Sequence, residues 1–156
     1  MLRKSMMALA NNPFVTKTVT TNQLSRDFAS RFVAGETLEQ ALASCRELVD
    51  AGMTITLDLL GENVTDPERA QGFADQYCRI IDRLAQSGLP RAISVKLTML
   101  GLDISSEFAR EQMVRVLDEA RRLDAFVRID MEGTAYTQRT LELFCDLHET
   151  YGNTLG

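Results

Sequence analysis

The chain has no tryptophan, three prolines, three cysteines and one histidine in 156 residues, and each shortage excludes something. With His148 alone, and Cys45, Cys78 and Cys145 dispersed, no four-ligand zinc set can be assembled. A histidine-based triad would need His148 to face a nucleophile that it does not neighbour in sequence. The cysteines are odd in number and far apart, which argues against a disulfide framework; each lies within a helical pattern and reads as a small core hydrophobe in a reduced compartment. Basic residues are outnumbered by acidic ones, 17 to 22, so the clustered Lys and Arg of a phosphate-binding surface are missing and nucleic acid is not expected as a partner. No run approaches the ~20 apolar residues of a membrane span. Met1 to Ala10 has a basic start and a short apolar stretch, but Asn11, Asn12 and Pro13 end it too soon for a signal peptide. It reads as a short amphipathic helix of a cytoplasmic protein.

What is present is an ordinary globular composition, 45% hydrophobic and 25% charged, in a chain long enough to bury roughly 70% of the surface its unfolded form exposes. The first fifty residues look helical, with a stretch around Leu24 to Val33 and then a capping box of Thr37 and Gln40. The helix that follows carries Leu38, Ala41, Leu42, Cys45, Leu48 and Val49 on one face, and Gly52 ends it. The pattern then changes. Three short apolar runs, Met53 to Leu60, Ile93 to Thr98 and Phe126 to Met131, alternate with helical patterns. One of these is capped at Thr65 or Asp66, with Pro67 in its first turn, and shows Phe73, Tyr77, Ile80, Ile81 and Leu84. The next is capped at Ser105 or Ser106 and shows Phe108, Met113, Val116, Leu117 and Ala120; the last shows Leu141, Phe144, Cys145 and Leu147. A strand, loop, long helix and short return, repeated three times, means parallel strands with right-handed crossovers.

The strands alternate instead of reading as continuous apolar runs. Ile55, Leu57 and Leu59, with Ile93, Val95 and Leu97, and Val127, Ile129 and Met131, make one face; Thr54, Thr56 and Asp58, with Ser94, Lys96 and Thr98, and Arg128, Asp130 and Glu132, make the other. A doubly wound sheet needs apolar residues on both faces. A β/α barrel tolerates polar residues looking inward near the C-terminal strand ends, where barrel sites are built. Lys96 and Asp130 stand at those ends of the second and third runs and are therefore the leading candidates for a site. A solvated ion pair on an amphipathic sheet remains the alternative. Three strands are visible, with the start of a fourth at Asn153-Thr154-Leu155-Gly156, against the eight of a closed barrel.

The strings Thr56-Leu57-Asp58-Leu59-Leu60-Gly61-Glu62, Ser94-Val95-Lys96-Leu97-Thr98 with Leu100-Gly101-Leu102-Asp103, and Phe126-Val127-Arg128-Ile129-Asp130-Met131-Glu132-Gly133 resemble bacterial proline dehydrogenases. The resemblance runs from about Arg31 onward. It implies an α/β fold, a partial (βα)8 (TIM-like) barrel of three to four βα units preceded by N-terminal helices, divided as a helical arm over 1–52 and barrel units over 53–156. It further implies FAD as cofactor, L-proline as substrate oxidised to 1-pyrroline-5-carboxylate, and a quinone as electron acceptor.

By the same resemblance Lys96 lies beside the flavin and the substrate carboxylate, Asp130 is the active-site aspartate, Met131 sets its backbone against the flavin, and Glu62 is a gate carboxylate that pairs with a substrate-binding arginine. The later strands and the arginine pair that grips the substrate are absent, and Arg121-Arg122 ends a helix on the opposite rim. The expectation is therefore an N-terminal portion, inactive alone, in the cytoplasm with peripheral contact to the inner membrane where quinones lie. Two rivals stand beside it. One is a non-enzymatic half-barrel that associates through exposed strand edges; the other is an unrelated barrel enzyme in which Lys96 forms a Schiff base.

Overall fold

A computed structural model describes residues 33–156. The helices expected over Met1 to Ala10 and from Leu24 lie outside the described residues. The chain divides into two compact units between Cys45 and Arg46, a boundary that falls inside the first helix described.

That helix, α1 (Leu38–Asp50), starts with the capping box: the Gln40 amide donates to Thr37 Oγ1 at 3.3 Å while Gln40 Oε1 accepts from the Thr37 amide at 3.3 Å. It ends on Gly52 in the left-handed region at φ 81°, where the Gly52 amide reaches Val49 O and the Met53 amide reaches Leu48 O. Three strands and three helices follow in strict alternation: β1 (Leu57–Asp58), α2 (Pro67–Ser87), β2 (Ala92–Val95), α3 (Ser106–Arg122), β3 (Phe126–Ile129) and α4 (Thr137–Tyr151). Asp66, not Thr65, caps α2 by accepting from the Arg69 amide at 2.8 Å, with Pro67 in the first turn, where a missing N–H costs nothing. Ser105 caps α3 through the Phe108 amide.

All three strands pair in parallel in the order β1-β2-β3, with Leu57 opposite Ile93 and Ile93 opposite Val127. Right-handed crossovers that always step the same way leave the helices on one face of the sheet. There α2 packs on α3 and α3 on α4, over Ile93, Val95 and Val127, all fully buried. After α4 and a single 3-10 turn (Gly152–Thr154), Leu155 bridges Val127 in parallel. The Gly156 amide donates to Val127 O at 3.0 Å and the Ile129 amide to Gly156 O at 2.8 Å, so the start of a fourth strand lies beside β3. Among the described residues no helix is long and apolar enough to cross a membrane.

Four expectations need correction. The first run was read as a strand over 53–60, but only two residues of it pair, because register with β2 begins at Ile93. Met131 was assigned to the helix-covered apolar face and is instead 53% exposed: β3 ends at Ile129, and alternation between faces ends with it. In α4 the buried ladder is Thr140, Leu143, Leu147 and Tyr151, so Leu141 is exposed and Phe144 only partly buried. Cys145 is exposed for the same reason, whereas Cys45 is buried and Cys78 intermediate; all three are free thiols.

Candidate active site

The polar residues of the three strands lie on the face that the helices leave uncovered. At the C-terminal end of that face Lys96 Nζ is 2.6 Å from Asp58 Oδ2 and 3.2 Å from Asp130 Oδ2. The placement follows from the backbone. Asp58 is in register with Ser94, so Lys96, two residues beyond Ser94 and directly after the end of β2, meets it on the diagonal. Asp130 follows β3 directly and its amide still donates to Val95 O at 2.9 Å, which keeps it in the ladder beside the lysine. The expected convergence of Lys96 and Asp130 is therefore present. The shorter contact, however, is to Asp58, which the sequence placed on the polar face without marking it as a site residue.

Lys96 is largely shielded, with 20% of its side chain exposed, against 39% for Asp58 and 47% for Asp130. Burial of the ammonium pulls its pKa down. The hydrogen bond and charge of Asp58, then those of Asp130, outweigh that pull, so the net shift is upward from the ordinary lysine value. An amine held protonated between two carboxylates is a poor nucleophile, which counts against the Schiff-base reading, since that chemistry needs a depressed pKa.

A second network joins the three loops that follow the strands. Thr98, fully buried, donates from Oγ1 to Glu132 Oε1 at 2.5 Å and from its amide to Glu132 Oε2 at 3.1 Å. The same hydroxyl accepts from the Asn63 amide at 3.1 Å, and Thr98 O accepts from the Val64 amide at 2.9 Å. Asn63 sits at φ 56°, a left-handed conformation that asparagine tolerates better than most residues. Its Oδ1 accepts from the Tyr136 hydroxyl at 3.1 Å. Asp103 lies by that phenol and, with partial burial, raises its pKa.

Beneath the cluster, Tyr77 of α2 is fully buried and its hydroxyl donates to Met99 Sδ at 3.7 Å. Burial, and then the negative charge of Asp58, push this phenol far up from its usual value. Gly61 packs against the same methionine; a Cβ there would lie 3.0 Å from Met99 Cε, so the loop after β1 runs close over the sheet end.

Of the candidates named from sequence, Lys96 and Asp130 come together. Glu62 is exposed in the loop after β1, next to the pinned Asn63, and Met131 is exposed just beyond Asp130. Leu60, 91% exposed, adds a second apolar side chain to this rim. Thr98, Glu132, Asn63 and Tyr136 were not singled out. Alternation does put Thr98 and Glu132 on the polar face, but nothing in the order of residues announces that Tyr136 reaches Asn63 across 73 positions. Arg121 and Arg122 lie at the end of α3, where Arg121 stacks 4.4 Å from the Tyr151 ring and Arg122 pairs with Glu119. That is the rim opposite Lys96, as the topology required. Among the described residues no group of three His, Cys, Asp or Glu could hold a metal ion.

Comparison with known proteins adds an independent line. Residues 41–153 match the family model described as proline dehydrogenase. The chain is 34% identical over 144 residues to proline dehydrogenase 1 of Bacillus subtilis subsp. natto, covering 92% of this chain and 47% of that protein. It is 29% identical over 153 residues to the proline dehydrogenase of Deinococcus radiodurans, covering 96% and 49%. Among solved structures, proline utilization A (PutA) from Bdellovibrio bacteriovorus inactivated by N-propargylglycine superposes with a TM-score of 0.73 at 26% identity, over 80% of this chain and 15% of that one. The chain thus spans about half the length of the curated relatives it matches.

Proposed function

Because the chain belongs to the proline dehydrogenase family, we propose that its open sheet face is one wall of a (βα)8 barrel site in which FAD oxidises L-proline to 1-pyrroline-5-carboxylate, with electrons passing on to a quinone. The observation that carries this reading is the largely shielded Lys96 ammonium at the strand ends, flanked by carboxylates on a face that none of the described helices covers. Strands that advance in one direction, β1 to β3 and then Leu155, with the crossover helices α2 and α3 on one side, are what a barrel wall requires and what a doubly wound sheet does not have.

The residues present fit a flat cofactor ring and a zwitterionic amino-acid substrate. Lys96 supplies a fixed cation, and the exposed Met131 and Leu60 supply apolar surface beside it for a flat ring. FAD, when bound, supplies the acceptor for the hydride that leaves proline C5. The chain's own groups do the rest. Lys96 anchors negative charge and stabilises it where it develops, since a preorganised cation on a sheltered face costs no reorganisation during reaction. Asp130 fixes the polar groups around the reacting carbon. Met131 would help hold the cofactor through its backbone, and Glu62, on the loop after β1, would close the entrance by pairing with a substrate-binding arginine. Residues 53–156 form the first barrel units. The location is cytoplasmic, with peripheral membrane contact to reach the quinone.

A chimera tests this. Residues of the Bacillus proline dehydrogenase 1 that match this chain are replaced by the chain itself, and flavin content and proline-dependent flavin bleaching are measured. The chimera should retain FAD and be bleached by L-proline, and Lys96→Met should slow bleaching by roughly 10²-fold or more while FAD stays bound. A chimera that holds FAD yet is inert to proline, or one indifferent to Lys96→Met, would overturn the reading.

A further inference from the structure

We propose that Asp58 is the positioning residue of this site: it anchors the Lys96 ammonium and leaves Asp130 as the carboxylate available to a bound ligand. The two acids are not equivalent partners. Asp58 approaches Lys96 Nζ to 2.6 Å, a short charge-assisted hydrogen bond, and Asp130 to 3.2 Å, a longer and weaker one. Asp58 belongs to a strand and its register opposite Ser94 fixes where its side chain can go. Asp130 comes one residue after β3, with almost half of its side chain exposed on the open face.

An ammonium has three N–H donors in a rotating set. Asp58 holds one firmly and Asp130 holds a second loosely, so the third points to the open face. An incoming carboxylate competes with Asp130 for Lys96 and not with Asp58, and Asp130, once displaced, can turn to a ligand's ammonium. With both acids ionised the cluster carries one net negative charge, which suits a zwitterionic amino acid better than a simple anion. The other charged or titratable groups around it are Tyr77 of α2 beneath, Glu132 in the loop after β3, and Arg128, exposed on the same face of β3. None of them is an alternative anchor: Glu132 is engaged by Thr98, and Arg128 is itself a cation. The part given to Asp130 rests on the proline-oxidising reading; the anchoring by Asp58 is a property of the free protein.

The chain has only three lysines, Lys4, Lys17 and Lys96, so lysine-selective 13C and 15N labelling gives three resonances, with Lys96 assigned by its loss in Lys96→Met. In the wild-type chain the Lys96 Nζ signal should be protected from exchange and its titration midpoint should lie above the ordinary lysine value. Asp58→Asn should erase the protected signal and lower the midpoint; Asp130→Asn should lower it less and leave the signal in place. The Asp58→Glu variant should keep the midpoint raised. Equal effects of the two Asn variants, or a larger effect at Asp130, would overturn the proposal. Should Asp58→Asn fail to fold, the wild-type chain decides: a cross-peak from the Lys96 Cε protons to the Asp58 Cβ protons stronger than that to Asp130 supports the assignment, and the reverse order refutes it. These readouts need neither FAD nor proline, so failure here is distinguishable from failure of the chimera.

Discussion

Thr98 should be the stability hub of the rim, and Thr98→Val is the substitution that isolates its hydroxyl. Valine keeps the shape of a fully buried side chain, so the change removes two hydrogen bonds without opening a cavity. One is the bond to the Glu132 carboxylate at 2.5 Å and the other is the bond accepted from the Asn63 amide at 3.1 Å. A bond to a charged group contributes about 1.5–3 kcal/mol and a neutral one about 1 kcal/mol. Glu132 is only half-buried and keeps the Thr98 amide as donor at 3.1 Å, so the first figure belongs at its lower end. The expected loss is about 2.5 kcal/mol. In urea unfolding, with a slope of roughly 2 kcal/mol/M, that is a midpoint lowered by about 1.2 M, and in thermal unfolding a Tm lowered by roughly 5–10 °C. Thr98→Ser keeps both bonds and loses one buried methyl, at about 0.8 kcal/mol. A Thr98→Val chain within 0.5 kcal/mol of wild type, on the order of the noise in such comparisons, would refute the claim that this hydroxyl ties the loops together, as would equal losses in the Val and Ser variants.

Two further outcomes follow from other parts of the structure. Lys96 and Tyr77 both have folded-state pKa values raised above their unfolded values, so the stability each contributes is fully present below the unfolded value and is lost as pH rises through the folded one. Stability should therefore fall as pH passes about 10, where unfolded tyrosine and lysine titrate, and urea midpoints measured across that range should show a shallower fall in Lys96→Met and in Tyr77→Phe. At Gly101, with φ 89°, an added Cβ would lie 2.6 Å from Phe108 Cδ1 as well as in a left-handed conformation. Gly101→Ala should cost more than about 1 kcal/mol in the same unfolding assay, and a neutral result would show that the turn can be rebuilt.

Much of this architecture was legible because it is written in short-range patterns. Thr37 with Gln40, Thr65 or Asp66 before Pro67, and Ser105 or Ser106 each announce a helix start by chemistry that acts within one turn, and the fold selects Asp66 and Ser105 as the caps. Alternation in Ile93 to Thr98 and Phe126 to Met131 separated the covered face from the open one, because side chains on a strand repeat every two residues. Lys96 and Asp130 could be marked as neighbours on that basis alone.

What tertiary structure decided is which groups meet and where each pattern stops. The first strand is two residues long because only Leu57 and Asp58 find register with β2, a fact about another segment 36 positions away. Met131 leaves the buried face because β3 ends before it, and α4 turns Cys145 outward because its buried ladder is Thr140, Leu143, Leu147 and Tyr151, on the side that packs on α3. Asp58 becomes the nearer partner of Lys96 through parallel register, and Tyr136 reaches Asn63 because three loops end at one rim. The amino-acid order by itself determined the repeating strand and helix units and the two faces of the sheet, since those depend on periodicity within a few residues. The pairing of charges and the lacing of the rim depend on distances between segments remote in the chain, and only the packed sheet sets those.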